Sequence, residues 1–273
     1  MIAWLVLLAL AALMLFLTAP NFDRRRMDAW RGLWFAHRGL HDIDRGIVEN
    51  TLPAFDTAVR AGYGMELDVQ LTKDGQLVVF HDDDLQRLAD DPRRVDQCTL
   101  AELQAMSLGG VADAHAPTFA ELLQTVDGRT PLLVELKHGR ADRRLCRDVM
   151  AALDAYHGPF IVESFNPLIV GWFRRNAPEV VRGQLVSPMR DYVAQCNQIG
   201  AFCMSGLLAN CIGRPDFVAY DAAAQRFFSP HFQRLAYRTP MAAWTVRTEE
   251  LAALTRKRGE IGIFETIRPE RRT

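Results

Sequence analysis

Short apolar runs recur eight times along this chain, and each is followed by a segment with the periodicity of an amphipathic helix. Runs of this kind indicate strands that are buried on both faces of a parallel sheet. The predicted strands lie near residues 33–37, 65–71, 132–137, 160–165, 181–186, 217–220, 242–246 and 261–265. Eight alternating β/α units predict an α/β fold, a (β/α)8 TIM barrel that occupies residues 33–273.

One stretch, residues 75–117, does not fit a single β/α connection, because a polar segment and a short helix follow its apolar run. We predict a small insertion after the second strand that lies over the barrel mouth and presents His81. Two capping boxes, Thr99 with Glu102 and Thr118 with Glu121, indicate helix starts. A length of 273 residues suits one large barrel or two smaller domains, and the eight units require no second domain.

The first 22 residues carry no charged side chain, and residues 2–17 are continuously apolar. Because a bilayer span takes roughly 20 such residues, we predict a transmembrane anchor over residues 1–22 and a basic juxtamembrane linker over residues 23–32. Arg24, Arg25, Arg26 and Arg31 follow the apolar run, which predicts a single-pass protein whose barrel faces the cytoplasm. The alternatives are a cleaved signal peptide, which would make a secreted enzyme, and a buried core helix.

Composition excludes one class of partner and indicates a compartment. A formal net charge of −1 and a pI near 6.7 provide no electrostatic attraction for nucleic acid. The five cysteines are odd in number and lack both paired and metal-ligand spacing. A reducing compartment suits them better than a disulfide framework does.

Three carboxylates at strand positions predict a metal site. Glu66 and Asp68 are separated by one residue in an alternating strand, so their side chains point to the same side. Glu135 lies on the next predicted strand, with Lys137 on its side. Hard oxygen ligands suit Mg²⁺ or Ca²⁺, whereas zinc more often recruits His or Cys. We therefore predict one divalent cation on these three acids, since without it they would repel one another.

Two cationic side chains next to these acids predict a phosphate group as the ligand. Arg38 offers a planar fork of donors and Lys137 a point charge. Three carboxylates, one divalent cation and these two side chains sum to about one net positive charge, which suits a phosphodiester. His37 follows the first predicted strand, at the barrel end where enzymes of this fold place their chemistry.

An ordered set of short motifs resembles the glycerophosphodiester phosphodiesterase family. Each motif is weak alone, but together they cover residues 34–266 in the family's order. They are His37-Arg38-Gly39, Glu49-Asn50-Thr51, Glu66-Leu67-Asp68-Val69, Leu71-Thr72-Lys73-Asp74-Gly75, His81-Asp82, Pro117-Thr118, Glu135-Leu136-Lys137, Ser164-Phe165 and Trp244-Thr245-Val246.

The resemblance implies a chemistry. It implies metal-dependent hydrolysis of glycerophosphodiesters to an alcohol and glycerol 3-phosphate, with His37 and His81 as the acid–base pair. Arg38 and Lys137 are then expected to bind the phosphoryl oxygens, and Trp244 to line a glycerol pocket. Relatives also carry a small insertion at the position predicted above.

Three predicted residues keep a second interpretation. Asn50 either supports the metal ligands or caps the helix that follows it, and Asp82 either orients His81 or is solvated. Trp244 is either a pocket wall or core packing. The chain also departs from the family pattern, with Arg247 where many relatives carry Asn, and with Glu265-Thr266 where they usually carry a Thr-Asp pair.

Two other functions remain open. A lysophospholipase D would cut the same bond in a lipid with one acyl chain, and a membrane anchor would hold it near such substrates. A catalytically inactive protein that binds phospholipid head groups is the alternative from another class. Loss of a histidine or a metal-binding carboxylate would indicate that alternative, and this sequence retains them all.

Overall fold

The computed structural model describes residues 1–137, 142–193, 196–224 and 227–270. Within them the strands are β1 (Trp34–Ala36), β2 (Gly64–Leu71), β3 (Leu77–Val79), β4 (Asp84–Leu85), β5 (Asp91–Arg94), β6 (Leu132–Leu136), β7 (Phe160–Ser164), β8 (Arg182–Val186), β9 (Phe217–Asp221), β10 (Met241–Val246) and β11 (Ile261–Phe264).

Among the described residues, at least one helix lies between each two successive strands of β1, β2 and β6 to β11. The helices are α1 (Ile2–Thr18), α2 (Leu52–Ala61), α3 (Gln86–Ala89), α4 (Leu100–Gln104), α5 (Phe119–Val126), α6 (Asp142–Asp154), α7 (Pro167–Asn176), α8 (Met189–Tyr192), α9 (Gln198–Ser205), α10 (Asn210–Gly213), α11 (Phe228–Phe232) and α12 (Glu249–Arg258). Single 3₁₀ turns span Arg24–Met27, Ile43–Arg45 and Val95–Gln97, and a π-helical turn spans Gln233–Tyr237.

Eight parallel strands close into a barrel, which confirms the predicted fold class. Their order is β1, β11, β10, β9, β8, β7, β6 and β2, and β1 pairs with β2 to complete the ring. Each of the eight predicted apolar runs forms one of these strands. β3 pairs in the antiparallel direction with the last three residues of β2 and is not one of the eight strands of the ring.

The barrel has an apolar interior and an apolar shell. Alternate strand residues, including Phe35, Leu133 and Phe217, form a cluster that fills the ring. The intervening residues, such as Leu67, pack outward against the helices. Because Glu66 and Asp68 alternate with outward-packed residues, they point inward, above the apolar filling.

Residues 75–117 form a subdomain with a core of its own. This insertion contains β3, the hairpin of β4 and β5, and the short helices α3 and α4. Phe80, Leu85, Val95 and Leu103 are buried together in a cluster separate from both barrel clusters. The insertion begins directly after β2, so it carries its residues to the end of the barrel where Asp68 lies.

The prediction of a single-pass membrane anchor is wrong. Among the described residues no helix is long and apolar enough to cross a membrane. The apolar helix α1 has 17 residues, or about 26 Å at 1.5 Å per residue, whereas the hydrocarbon core is about 30 Å thick. The helix ends at Thr18, and both Thr18 and Ala19 are buried.

Hydrogen bonds hold the end of α1 in place. Gln233 and Asn210 donate side-chain hydrogen bonds to the carbonyl oxygen of Thr18, at 2.8 Å and 3.2 Å. The Tyr237 hydroxyl donates to Leu15 O at 2.7 Å. These contacts satisfy carbonyl groups that a helix end leaves without intrahelical partners.

Gly39 lies in the turn that follows β1, and its substitution should lower the stability of the fold. Its φ is +79°, and an added Cβ would lie 2.9 Å from Ala54 Cβ. Gly32 has a similar φ of +71° and open space around it. We expect Gly32→Ala to lower the free energy of unfolding by about 1 kcal/mol through backbone strain. Gly39→Ala should lower it by roughly 1–3 kcal/mol more, because a clash adds to the strain.

Urea unfolding followed by circular dichroism measures both variants against the parent chain. Gly32→Ala is the control for positive φ alone. Equal losses in the two variants would show that the Ala54 contact carries no cost.

Candidate active site

Three buried carboxylates meet at the carboxyl-terminal ends of β2 and β6. Asp68 and Glu135 are partners in the register between these strands. Glu66 lies on the same inward face of β2, and all three residues are buried. Each offers an oxygen atom, and these atoms all lie within 4.8 Å of one another. The period-two pattern of β2 therefore leads directly to the cluster.

Two cations hold this cluster together. Lys137 Nζ lies 3.0 Å from Asp68 Oδ1 and 2.9 Å from Glu135 Oε1. The Arg38 backbone N–H donates to Glu66 Oε2 at 3.0 Å, and Arg38 Nε lies 3.8 Å from Asp68 Oδ2. Arg38 has a φ of +55°, a backbone conformation that is rare for residues other than glycine. Strained backbone conformations of this kind are typical of functional sites, where the surrounding structure holds them in place.

The pKa values of the three acids shift in different directions because their neighbours differ. Burial raises the pKa of Glu66 well above its usual range, and the neighbouring carboxylates add to the rise. Burial also raises the pKa of Glu135, although the Lys137 ammonium opposes it. For Asp68, burial is outweighed by nearby cations, Lys137 foremost, which hold its pKa below the usual range.

These residues fit a hard divalent cation. Three acids against two cationic side chains leave uncompensated negative charge in a buried site, which is costly. The donor atoms are carboxylate oxygens, the ligands that Mg²⁺ and Ca²⁺ prefer. A divalent cation on Glu66, Asp68 and Glu135 would remove the repulsion that raises the pKa of Glu66.

Asn50 contacts a predicted metal ligand. Its Nδ2 donates to Asp68 Oδ2 at 2.8 Å, and its backbone N–H donates to Arg38 O at 2.9 Å. The N-cap of α2 is Thr51, whose side chain makes no capping hydrogen bond. Between the two interpretations of Asn50, the geometry therefore favours support of the acid cluster.

His37 is held by a carboxylate at the end of the last barrel strand. Its Nδ1 lies 2.9 Å from Glu265 Oε2, and Arg247 Nη2 donates to the same oxygen at 3.0 Å. Burial lowers the pKa of His37 to about 4, while the hydrogen bond with Glu265 acts in the opposite direction. In turn, that hydrogen bond lowers the pKa of Glu265 to about 2. The two departures from the family pattern, Arg247 and Glu265, thus form one contact network with His37.

His81, like His37, has a carboxylate next to its Nδ1. His81 Nδ1 lies 2.6 Å from Asp82 Oδ1, and Asp82 Oδ2 accepts from Arg87 Nε at 2.7 Å. Arg87 also binds Glu49, which in turn accepts from Arg38 Nη1 at 2.6 Å. The interpretation in which Asp82 orients His81 agrees with this geometry. A continuous polar network of Asp82, Arg87 and Glu49 thus connects His81 in the insertion to Arg38 at the barrel mouth.

Two cavities meet at the acids. One has a volume of about 440 Å³ and is lined by His37, Glu163 and Trp244, among others. The other has a volume of about 750 Å³ and is lined by Lys137 and Tyr192, among others. His81, Glu135 and Phe165 line both cavities, so Glu135, one of the three acids, lies where they join. Trp244 is thus a cavity wall, and it packs edge-on against Phe165 with ring centroids 5.9 Å apart.

Sequence reasoning missed three acids of this region. Glu265 had a signal, since its position departs from the family pattern, but its contact with His37 was not foreseen. Glu49 had a motif but no assigned role. Glu163 had only its place two residues before Phe165 on an apolar strand, and burial raises its pKa well above the usual range. A carboxylate inside an apolar run is itself a usable signal.

Comparison with known proteins decides the family. The model of the glycerophosphoryl diester phosphodiesterase family matches residues 37–265, which is most of the chain. The chain belongs to this family. The match begins at His37 and ends at Glu265, the two residues that form a hydrogen bond across the closed barrel. Membership confirms the resemblance and the prediction of a phosphoric diester hydrolase.

Curated relatives in the family are similar over part of their length. The Bacillus subtilis protein YhdW, named as a glycerophosphodiester phosphodiesterase, is 34% identical over 175 residues, which are 61% of this chain and 70% of YhdW. A glycerophosphodiester phosphodiesterase of Caldanaerobacter subterraneus is 37% identical over 114 residues, which are 39% of this chain and 46% of that enzyme.

Solved structures show the same fold at lower identity. An Oleispira antarctica phosphodiesterase, determined with the product sn-glycerol-3-phosphate, aligns with a TM-score of 0.68 at 22% identity over 86% of this chain and 93% of its own. A family protein from Silicibacter pomeroyi has a TM-score of 0.68 at 24% identity, over 88% of this chain and 93% of its own. These likenesses establish the barrel fold.

The His37–Glu265 contact predicts the direction of a titration. We expect the pKa of His37 to be about 4, and Glu265→Ala to lower it further, because the carboxylate favours the imidazolium form. NMR titration of the imidazole signals, without added metal, measures both values. Glu249→Gln removes an exposed acid from the first turn of α12 and should leave the titration unchanged. A rise in the pKa of the Glu265→Ala protein would contradict the assigned contact.

Proposed function

We propose that this family member hydrolyses glycerophosphodiesters to an alcohol and glycerol 3-phosphate with the help of one divalent cation. The observation that carries the proposal is the meeting of three buried carboxylates with Arg38 and Lys137 where two histidine-lined cavities join. Glycerophosphodiesters are the substrates named for its curated relatives. The cation, Mg²⁺ or Ca²⁺, would be held by Glu66, Asp68 and Glu135, and it would polarise a phosphoryl oxygen.

Arg38 and Lys137 are proposed to bind the phosphoryl group. Both lie against the acid cluster, so their charges face the position where an anionic group would approach the cation. Charge on the phosphoryl oxygens grows in the transition state, and preorganised donors stabilise it more than they stabilise the substrate.

The two histidines are proposed to move protons on opposite sides of the phosphorus. Because the pKa of His37 is lowered to about 4, its imidazole is neutral at pH 7 and can accept a proton from the attacking hydroxyl. Glu265 holds Nδ1 and thereby leaves Nε2 to act as the base. His81, oriented by Asp82, is placed to protonate the departing alcohol. If a cyclic phosphate forms first, the two residues exchange roles in the second step.

Product analysis on a panel of substrates tests this function. The panel contains glycerophosphocholine, glycerophosphoethanolamine and glycerophosphoglycerol, with lysophosphatidylcholine as the lipid arm. Release of glycerol 3-phosphate from the first three is the expected result. Release of choline and lysophosphatidic acid from the lipid alone would favour a lysophospholipase D, and binding without turnover would favour an inactive head-group binder.

Histidine variants provide the internal controls for this panel. His37→Ala and His81→Ala should each lower kcat by about 10² or more, the usual scale for a positioned acid or base. Thermal melting should change little, since neither residue belongs to an apolar cluster of the fold. Near-normal turnover by His81→Ala would exclude it as the acid and make Asp82 the next residue to test.

Metal removal gives a separate prediction. Excess chelator should abolish turnover, and Mg²⁺ or Ca²⁺ should restore it, because three acids outnumber their two cationic partners. The double variant Glu66→Gln/Asp68→Asn should show no binding of Mg²⁺ or Ca²⁺ in calorimetry. Asp84→Asn, at an exposed acid that lines the larger cavity, is the matched control and should retain binding. Full activity in chelator, or in the double variant, would refute the metal site.

A further inference from the structure

Glu163 is a buried acid that no element of the proposed reaction uses. It lies on β7 with 2% of its surface exposed, beside Glu135 in the strand register. Its Oε2 has no hydrogen-bond partner among the residues that the structure describes. Its side chain nevertheless lines the cavity of about 440 Å³. Since a buried polar group without a partner is costly, this carboxyl is placed to receive one from a ligand.

Neither the acid cluster nor Lys137 explains why an acid occupies position 163. The oxygen atoms that converge within 4.8 Å of one another come from Glu66, Asp68 and Glu135, so Glu163 lies outside the metal cluster. The Lys137 ammonium lowers the pKa of Glu163 through its charge, but it forms its ion pairs with Asp68 and Glu135. Structural stabilisation is therefore a poor explanation for an acid at this position.

A second polar atom of the same cavity also lacks a partner. Trp244 Nε1 is buried without a hydrogen-bond acceptor among the described residues, and Trp244 lines the cavity beside Glu163. An N–H donor and a carboxyl oxygen together fit a hydroxyl group, which accepts one hydrogen bond and donates another. Phe165 and Trp244 supply apolar wall next to them, which suits the carbon chain of a small polyol.

The sizes of the two cavities indicate which end of a diester each receives. The cavity of about 440 Å³ contains His37, and the cavity of about 750 Å³ lies on the side of Ser187 and Tyr192. Glycerol is the small and constant part of the substrates proposed above, whereas the alcohol varies in size. The smaller cavity therefore suits glycerol, and the phosphoryl group lies between the two cavities, at the acids.

We infer that Glu163 selects glycerol by hydrogen bonding to one of its hydroxyl groups, in the cavity that Trp244 closes. This inference rests on the proposed function. The interaction forms in either protonation state, because a carboxylic acid donates to the hydroxyl oxygen and a carboxylate accepts from the hydroxyl proton. Rotation about the last side-chain torsion, which is broad in glutamate, exchanges the two carboxyl oxygens at the cavity surface.

A comparison of two ligands that differ only in hydroxyl groups tests the inference. The probes are sn-glycerol 3-phosphate and n-propyl phosphate, measured by calorimetry on the full chain with Mg²⁺. The parent protein should prefer glycerol 3-phosphate, and Glu163→Leu should reduce that preference by roughly 10-fold or more, with the Kd for n-propyl phosphate unchanged. Glu163→Gln retains a donor and an acceptor, so it should keep most of the preference.

Each alternative outcome has a distinct meaning. An unchanged preference in Glu163→Leu would overturn the inference while leaving the phosphodiesterase proposal intact. Loss of affinity for both ligands would assign Glu163 to the phosphoryl or metal end, and would also overturn it. Failure of the proposed function is separate, because it would appear as a parent protein that hydrolyses no glycerophosphodiester in the panel.

Discussion

Mutual repulsion among three buried acids is the constraint on which the active-site end of this barrel depends. Glu66, Asp68 and Glu135 are buried, and each offers a carboxylate oxygen within 4.8 Å of the others. Isolated carboxylates would not remain ionised there. Lys137 bridges two of them, and the strained turn at Arg38 directs a backbone N–H at the third. The fold thus provides partial neutralisation and leaves room for one more cation.

The two histidines are likewise held by pairs of opposite charges. Each has a carboxylate at Nδ1, Glu265 for His37 and Asp82 for His81, and each carboxylate is held in turn by an arginine. The two pairs differ in origin, since one joins the first and last barrel strands while the other lies in the insertion. Ring orientation is therefore set by charge pairs on separate parts of the chain.

The sequence predicted what local chemistry controls. Eight apolar runs were enough for the barrel, and the capping boxes at Thr99 and Thr118 form as their spacing indicated. The spacing of Glu66 and Asp68 was enough to place them together. Partners brought together by barrel closure were beyond such reasoning: His37 and Glu265 are 228 residues apart and meet only because the last strand pairs with the first.

The amino-terminal segment shows a different limit of sequence reasoning. Hydropathy measured the apolar run correctly, but it contained no information about Gln233, Asn210 and Tyr237, which bind the end of the helix. Similarly, Asn50 resembles a helix cap in sequence. Its side-chain amide instead donates a charge-assisted hydrogen bond to the buried carboxylate of Asp68, and Thr51 occupies the N-cap position.

Strand β2 combines tasks that are usually distributed over several elements. After Glu66 and Asp68, the next inward residue is Gln70, whose Nε2 donates to the carbonyl oxygens of Phe80 and Asp82 on either side of His81. A deletion of one residue just before Glu66 would turn all three side chains to the opposite face. Two of the three clustered acids and the anchoring of His81 would then be displaced in a single event. Changes of length should therefore accumulate in the insertion, and β2 should tolerate almost none.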